Sequence, residues 1–210
     1  MSDIVSQLSS QLKVNSNEPN KAVAKMCVDN PLLLEEIAGQ FTSNDKRLIG
    51  DCIEVFTEVG IIFPDIIVKY ALNLVPLLKF KEMRIRWEAM HSLALIASQA
   101  PDVILSILPE LEEIILHDAS VVVRDYATDA VSKFAGTSPE AANIAYIVLK
   151  VNLDTWGERH AARVIEGLIN VYDMLPVYKN ELLEIASKYR ESTKGVLRKA
   201  VGKLEKRLGN

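Results

Sequence analysis

Three histidines, two cysteines and two tryptophans are the residues of this chain with the most distinctive chemistry. A metal site needs several converging ligands, commonly two on one helix face at i, i+4 or cysteines at short spacing. His91, His117 and His160 have neither a cysteine nor a second histidine at such a spacing, and no His-Glu dipeptide occurs. The pattern predicts no metal and no cofactor. Cys27 and Cys52 stand where alanine or leucine would also fit, so they read as core thiols. No Gly-x-Ser-x-Gly, phosphate loop or dinucleotide fingerprint is present, and nine glycines in 210 residues leave little for such loops. No catalytic residue is therefore assigned, and a protein that is not an enzyme is expected. Trp87 and Trp156 read as the starts of helices near Arg86 and Arg159, where indoles more often anchor packing than bind a ligand.

Arginine gives the most regular signal. Arg47, Arg86, Arg124, Arg159 and Arg198 lie 39, 38, 35 and 39 residues apart, each at or near the start of an apolar helical stretch. Stacked on neighbouring helices, such a column can grip carboxylates or phosphates, because a guanidinium fork matches both. The alternative, which we favour, is that the arginines satisfy turn carbonyls and nearby acids. Prolines repeat the same ruler: Pro31, Pro64, Pro101, Pro139 and Pro176 are separated by 33, 37, 38 and 37 residues. Three of them precede an acid, which suits the first turn of a helix and its dipole.

These rulers divide the chain into units of about 37 residues, and within each unit the apolar spacing is helical. The unit at 102–139 is the clearest. Val103, Ile104, Ile107, Leu108, Leu111, Ile114 and Ile115 form one stripe; after a break at 117–120, Val123, Tyr126, Ala127, Ala130, Val131 and Phe134 form a second. The remaining units read as helix pairs at 32–41 with 45–59, 66–78 with 86–99, 141–150 with 158–172, and 178–189 with 194–208, with Gly60 and Gly136 as caps. A shorter pair precedes Pro31, marked by Ile4, Val5, Leu8 and Leu12 and then Ala22, Val23, Met26 and Cys27. The boundaries predicted for a single domain over 1–210 are 1–30, 31–64, 65–101, 102–139, 140–176 and 177–210. Each pair buries only part of its apolar surface, and stacking buries the rest.

The pattern resembles the HEAT-repeat family. Pro109, Asp118, Val123-Arg124, Ala127, Ala130 and Val131 fit its motif, as do Pro76, Ile85-Arg86, Ala89 and Leu93, and Leu197-Arg198 with Val201. The resemblance implies an all-α, right-handed α-α superhelix of about six antiparallel pairs, acting as a scaffold whose second helices line a concave face. The HEAT-repeat hydroxylases are similar in architecture but bind iron through His-Glu pairs, which this chain lacks. A HEAT-like family of alkylpurine DNA glycosylases is similar in length and uses Trp, Asp and Arg. Trp87, Asp125, Trp156 and Arg159 are the residues that this second resemblance would recruit.

Charge bears on the choice. The net charge is −4, but residues 102–158 carry ten acids against three bases, and residues 179–210 carry nine bases against four acids. An acidic middle disfavours a nucleic-acid surface, since phosphate contacts need Lys and Arg. The basic end suits a water-facing terminal cap, and the two regions together suit either a polar binder with a preferred orientation or ordinary solvated surface. No apolar run is long enough to span a bilayer, and no signal peptide is recognisable, so a cytoplasmic protein is expected. The expected partner is a protein or peptide. The side chains predicted to meet it are Arg86, His91, Arg124, Asp125, Thr128, Arg159 and Arg163, the polar positions on helices expected to face it.

Overall fold

A computed structural model describes residues 3–209, in which thirteen α-helices and no strand occur. The chain divides into two compact units, Met1–Val103 and Ile104–Asn210. The first contains α1 (Asp3–Ser6), α2 (Glu18–Asp29), α3 (Leu33–Ala38), α4 (Lys46–Ile62), α5 (Ala71–Leu74) and α6 (Met83–Ile96). Helix α7 (Pro101–Ser106) crosses the boundary. The second unit contains α8 (Leu108–His117), α9 (Val121–Phe134), α10 (Pro139–Trp156), α11 (Ala161–Met174), α12 (Lys179–Tyr189) and α13 (Gly195–Leu208). Among the described residues no helix is long and apolar enough to cross a membrane.

The second helix of each pair is continuous, and these helices pack side by side within each unit: α2 on α4 on α6, and α9 on α11 on α13. Their starts follow the expected chemistry. Asp45 caps α4 by accepting from Arg47 N at 2.9 Å, and Ser120 caps α9 by accepting from Val123 N at 3.4 Å. Helix α4 does not stop at Gly60, as the sequence suggested. It runs on to Ile62 and ends at Phe63-Pro64, while Gly60 is buried where a Cβ would meet Ile67 Cδ1 at 2.6 Å. Gly60 is therefore a close-packing residue and not a cap.

Two of the first helices are broken where a proline falls inside them. The continuous stretch expected over 66–78 is instead a series of 3₁₀ turns (Pro64–Ile66, Val68–Tyr70, Val75–Lys79) around the short α5. Pro76 has no N–H to donate and its ring collides with the carbonyl four residues earlier. Pro109 likewise divides the 103–115 stripe, with α8 beginning anew at Leu108. Where no internal proline intervenes the reverse happens: α10 runs 18 residues, well past the expected Lys150, until Gly157 turns the chain with φ +54°. Trp156 therefore ends a first helix and Arg159 lies in the 3₁₀ turn Gly157–Arg159; neither begins a second helix as expected.

The repeat period is also the contact interval. Asp51 meets Arg84, Ser132 meets Asn170, Glu166 meets Lys203 and Asp173 meets Arg207, pairs 33 to 38 residues apart. The terminal helix thus places Lys203 and Arg207 on carboxylates of α11, in addition to facing water.

Candidate functional site

Five of the seven predicted residues converge in the second unit, on α9, α11 and the turn before α11. The assembly begins with Arg124, which is 5 % exposed. Its Nη1 donates to Asp118 O at 2.5 Å, closing the turn that precedes α9. Its guanidinium lies 4.1 Å from the centre of the Trp156 ring. Trp156 is fixed in turn by donating Nε1–H to Ile115 O at 2.9 Å. Arg124 Nε donates to His160 Nε2 at 3.3 Å, so that nitrogen is an acceptor. The imidazole proton must then sit on Nδ1, which donates to Asp125 Oδ1 at 2.7 Å. His160 is 2 % exposed and has both ring nitrogens committed.

Below this, Thr128 is fully buried. Its hydroxyl donates to Arg124 O at 2.8 Å and accepts from Asn152 Nδ2 at 2.8 Å. Arg124 and Thr128 therefore hold the site from inside and offer almost no surface to a partner, contrary to their predicted place on the binding face. The surface is made by the other three with two aromatics. Asp125 is half-buried; Arg163 Nε sits 3.6 Å from Asp125 Oδ1, with its guanidinium 5.8 Å from the Tyr126 ring. Arg159 is exposed, 5.3 Å from the Trp156 ring. The result is a strip of two arginines, one carboxylate and two half-buried aromatic rings on a rigid polar support.

Arg86 and His91 lie in the first unit, on α6, and both are half-buried. Arg86 Nη1 donates to Phe80 O at 3.0 Å and Lys81 O at 2.8 Å. Arg198 Nη1 donates to Ser192 O at 2.6 Å. With Arg124 on Asp118, three members of the arginine column reach back six residues to satisfy a turn carbonyl, which is the favoured structural reading of the column. Trp87, the other indole considered, is half-buried on α6.

Sequence reasoning missed two groups. His160 was weighed only as a metal ligand; its signal was its distance of 35 residues from Asp125, one repeat. The larger omission is in the first unit. Arg84 Nη2 bonds Asp51 Oδ1 and Glu54 Oε2, both at 2.8 Å, and Asn20 Nδ2 bonds the same carboxylates at 3.1 and 2.6 Å. Asp51 and Glu54 stand at i, i+3 within the otherwise apolar stretch 48–56 of α4, which was the available clue. Further along the same helices Glu88 accepts from the Thr57 hydroxyl at 2.7 Å, and burial pushes its carboxyl above the ordinary glutamate range. Both cysteines are buried free thiols: burial pushes Cys27 up to about 12, and Cys52, which also faces the Asp51 and Asp45 charges, higher still.

No protein-family model and no curated protein matches the sequence. Solved structures do. A designed armadillo repeat protein in complex with peptide (KR)4 superposes with a TM-score of 0.73 at 17% identity, over 98% of this chain and 98% of the other. Computationally designed armadillo repeat proteins for modular peptide recognition give 0.74 at 16% identity, over 97% and 98%. An engineered protein gives 0.70 at 18% identity, over 100% and 97%. By fold, the chain is an all-α helical repeat of the armadillo and HEAT kind.

Proposed function

We propose that the protein is a non-enzymatic module that binds a protein or peptide, with the Asp125–Tyr126–Arg159–Arg163 strip of the second unit as a principal contact. The observation that carries this reading is the division of labour in that unit. Buried groups, Arg124, Thr128, Asn152 and His160, bond one another and the backbone, while the outward groups beside Asp125 are a tyrosine and two arginines, side chains of the kind that dominate interface energies. A preorganised strip loses little side-chain freedom on binding. The histidine supports binding over catalysis, because a buried imidazole with both nitrogens engaged has no lone pair to offer a substrate. Two designed armadillo proteins of the same fold were made for, or solved with, peptides, which favours a peptide ligand for this one.

The competing reading is a nucleic-acid ligand of the glycosylase type, and the half-buried indoles are the feature that favours it. Trp156, however, already has its N–H and an arginine-stacked ring committed within the protein. Fluorescence anisotropy separates the two. Labelled duplex and single-stranded DNA at low salt, run beside a peptide selected from a random display library, should give saturable binding for the peptide alone. Tight, salt-sensitive DNA binding would reverse the assignment.

A further inference from the structure

The geometry points to a second binding site, in the first unit, for a small ligand bearing a phosphate group. A cleft of about 540 Å³ opens beside α4, lined by the loop that leads into α2 together with Arg47, Asp51, Glu54 and Arg84. That volume falls within the range of ordinary small-molecule sites.

The hydrogen-bonding capacity left over in the cleft is one-sided. Both oxygens of Asp51 already accept: Oδ1 from Asn20 and Arg84, Oδ2 from Ser10 N at 2.7 Å. Glu54 Oε2 accepts from Asn20 and Arg84 as well. The charged groups left over are cations. Arg84 gives only Nη2 to these carboxylates, and its side chain is 43% exposed. Among the described residues the side chains of Lys13 and Arg47 are exposed and have no ion-pair partner. With three cations against two carboxylates, the lining of the cleft carries a net positive charge. A ligand that completes it must bring negative charge and several acceptor oxygens, and a phosphate group brings both.

A separate observation points the same way. Ser9 lines the cleft at 5% exposure, and its hydroxyl has no hydrogen-bond partner among the described residues. A buried hydroxyl that meets no acceptor or donor costs stability. The loop carrying these donors is held in place: Ser9 N donates to Asn20 Oδ1 at 2.9 Å, Val14 N closes on Ser9 O at 3.0 Å, and Lys13 adopts a left-handed φ of 57°. Gly50 completes the site by letting Arg84 lie flat across α4, with Nη1 3.4 Å from where a Cβ would stand.

The test uses the full chain, ¹⁵N-labelled, titrated with inorganic phosphate, O-phospho-L-serine and acetate at matched ionic strength. The Ser10 and Asn20 amides report on the cleft. The expected result is a saturable shift with phosphate or phosphoserine and a much weaker one with acetate. The double variant Lys13→Gln, Arg47→Gln changes only exposed side chains, so folding is retained, and binding should weaken about tenfold or more. The tighter of the two phosphate probes identifies the source as a free phosphate or a phosphorylated side chain. No saturable shift at millimolar probe, an equal response to acetate, or wild-type affinity in the double variant overturns the proposal.

Discussion

Replacing Arg84 by methionine leaves Asp51 and Glu54 inside the first unit without their counter-charge. Methionine keeps most of the stem that crosses Gly50, so the change removes charge and two 2.8 Å hydrogen bonds with little loss of packing. Removing one partner of a fully buried ion pair costs about 3–5 kcal/mol. A fully exposed pair is worth roughly 0–1 kcal/mol. The Asp51 and Glu54 side chains are 3% and 11% exposed, but Arg84 is 43% exposed, so solvent screens part of the interaction. Discounting for that screening, and for the bonds Asn20 retains, the expected loss is about 2 kcal/mol. Urea unfolding followed by tryptophan fluorescence in a Trp156→Phe background isolates the first unit, because Trp87 is then the sole indole. The same Arg84→Met change made on top of Asp51→Asn and Glu54→Gln should cost about 0.5 kcal/mol or less, since no buried charge is stranded. Equal losses in both backgrounds, or a loss under about 0.5 kcal/mol in the first, would refute the view that Arg84 neutralises this pair.

Glu88 provides a pH test. Its folded-state pKa is raised by burial, so the native state binds the proton more tightly than the unfolded chain. Stability then falls as pH rises through the window that begins at the ordinary glutamate range and extends above it. Glu88→Gln should remove that fall, making the variant more stable than wild type at pH 7 and no more stable below the window; chemical melts at several pH values measure it. Gly202 and Gly167 should respond in opposite directions to alanine. Gly202 is exposed in the middle of α13 with open space beside it, so Gly202→Ala should raise stability by about 0.5–1 kcal/mol. A Cβ on Gly167 would collide with Ser132 and with Leu149 Cδ1 at 2.8 Å, so Gly167→Ala should lower stability by about 1–3 kcal/mol in thermal melts.

The repeat was legible because its markers are local. Prolines and arginines recur with the period of the fold, and apolar stripes at helical spacing report which face is buried. The turn-closing role of Arg86, Arg124 and Arg198 followed from where they stand, one turn into helices whose preceding carbonyls need donors. The interruptions were harder to place. Pro76 and Pro109 broke helices that their apolar spacing alone would have continued, and the absence of an internal breaker let α10 run through to Gly157. That extension moved Trp156 and Arg159 off the helix assigned to them. The polar clusters were least legible, because they are made between repeats. Nothing near Asp51 in the sequence announces Arg84, and nothing near Asp125 announces His160; each pair becomes visible only when the chain is folded at its own period.

The measurement that bears most directly on the central reading is the affinity of a display-selected peptide for the wild-type protein and for the Arg159→Glu, Arg163→Glu variant, read by fluorescence anisotropy. Both side chains are solvent-accessible, and Arg163 touches the buried assembly only through Asp125 Oδ1, the atom that also holds His160, so circular dichroism and a thermal melt of the variant accompany the titration to show that the fold is retained. Charge reversal should weaken binding by about tenfold or more. An unchanged affinity would contradict the assignment of this strip as the partner-binding surface.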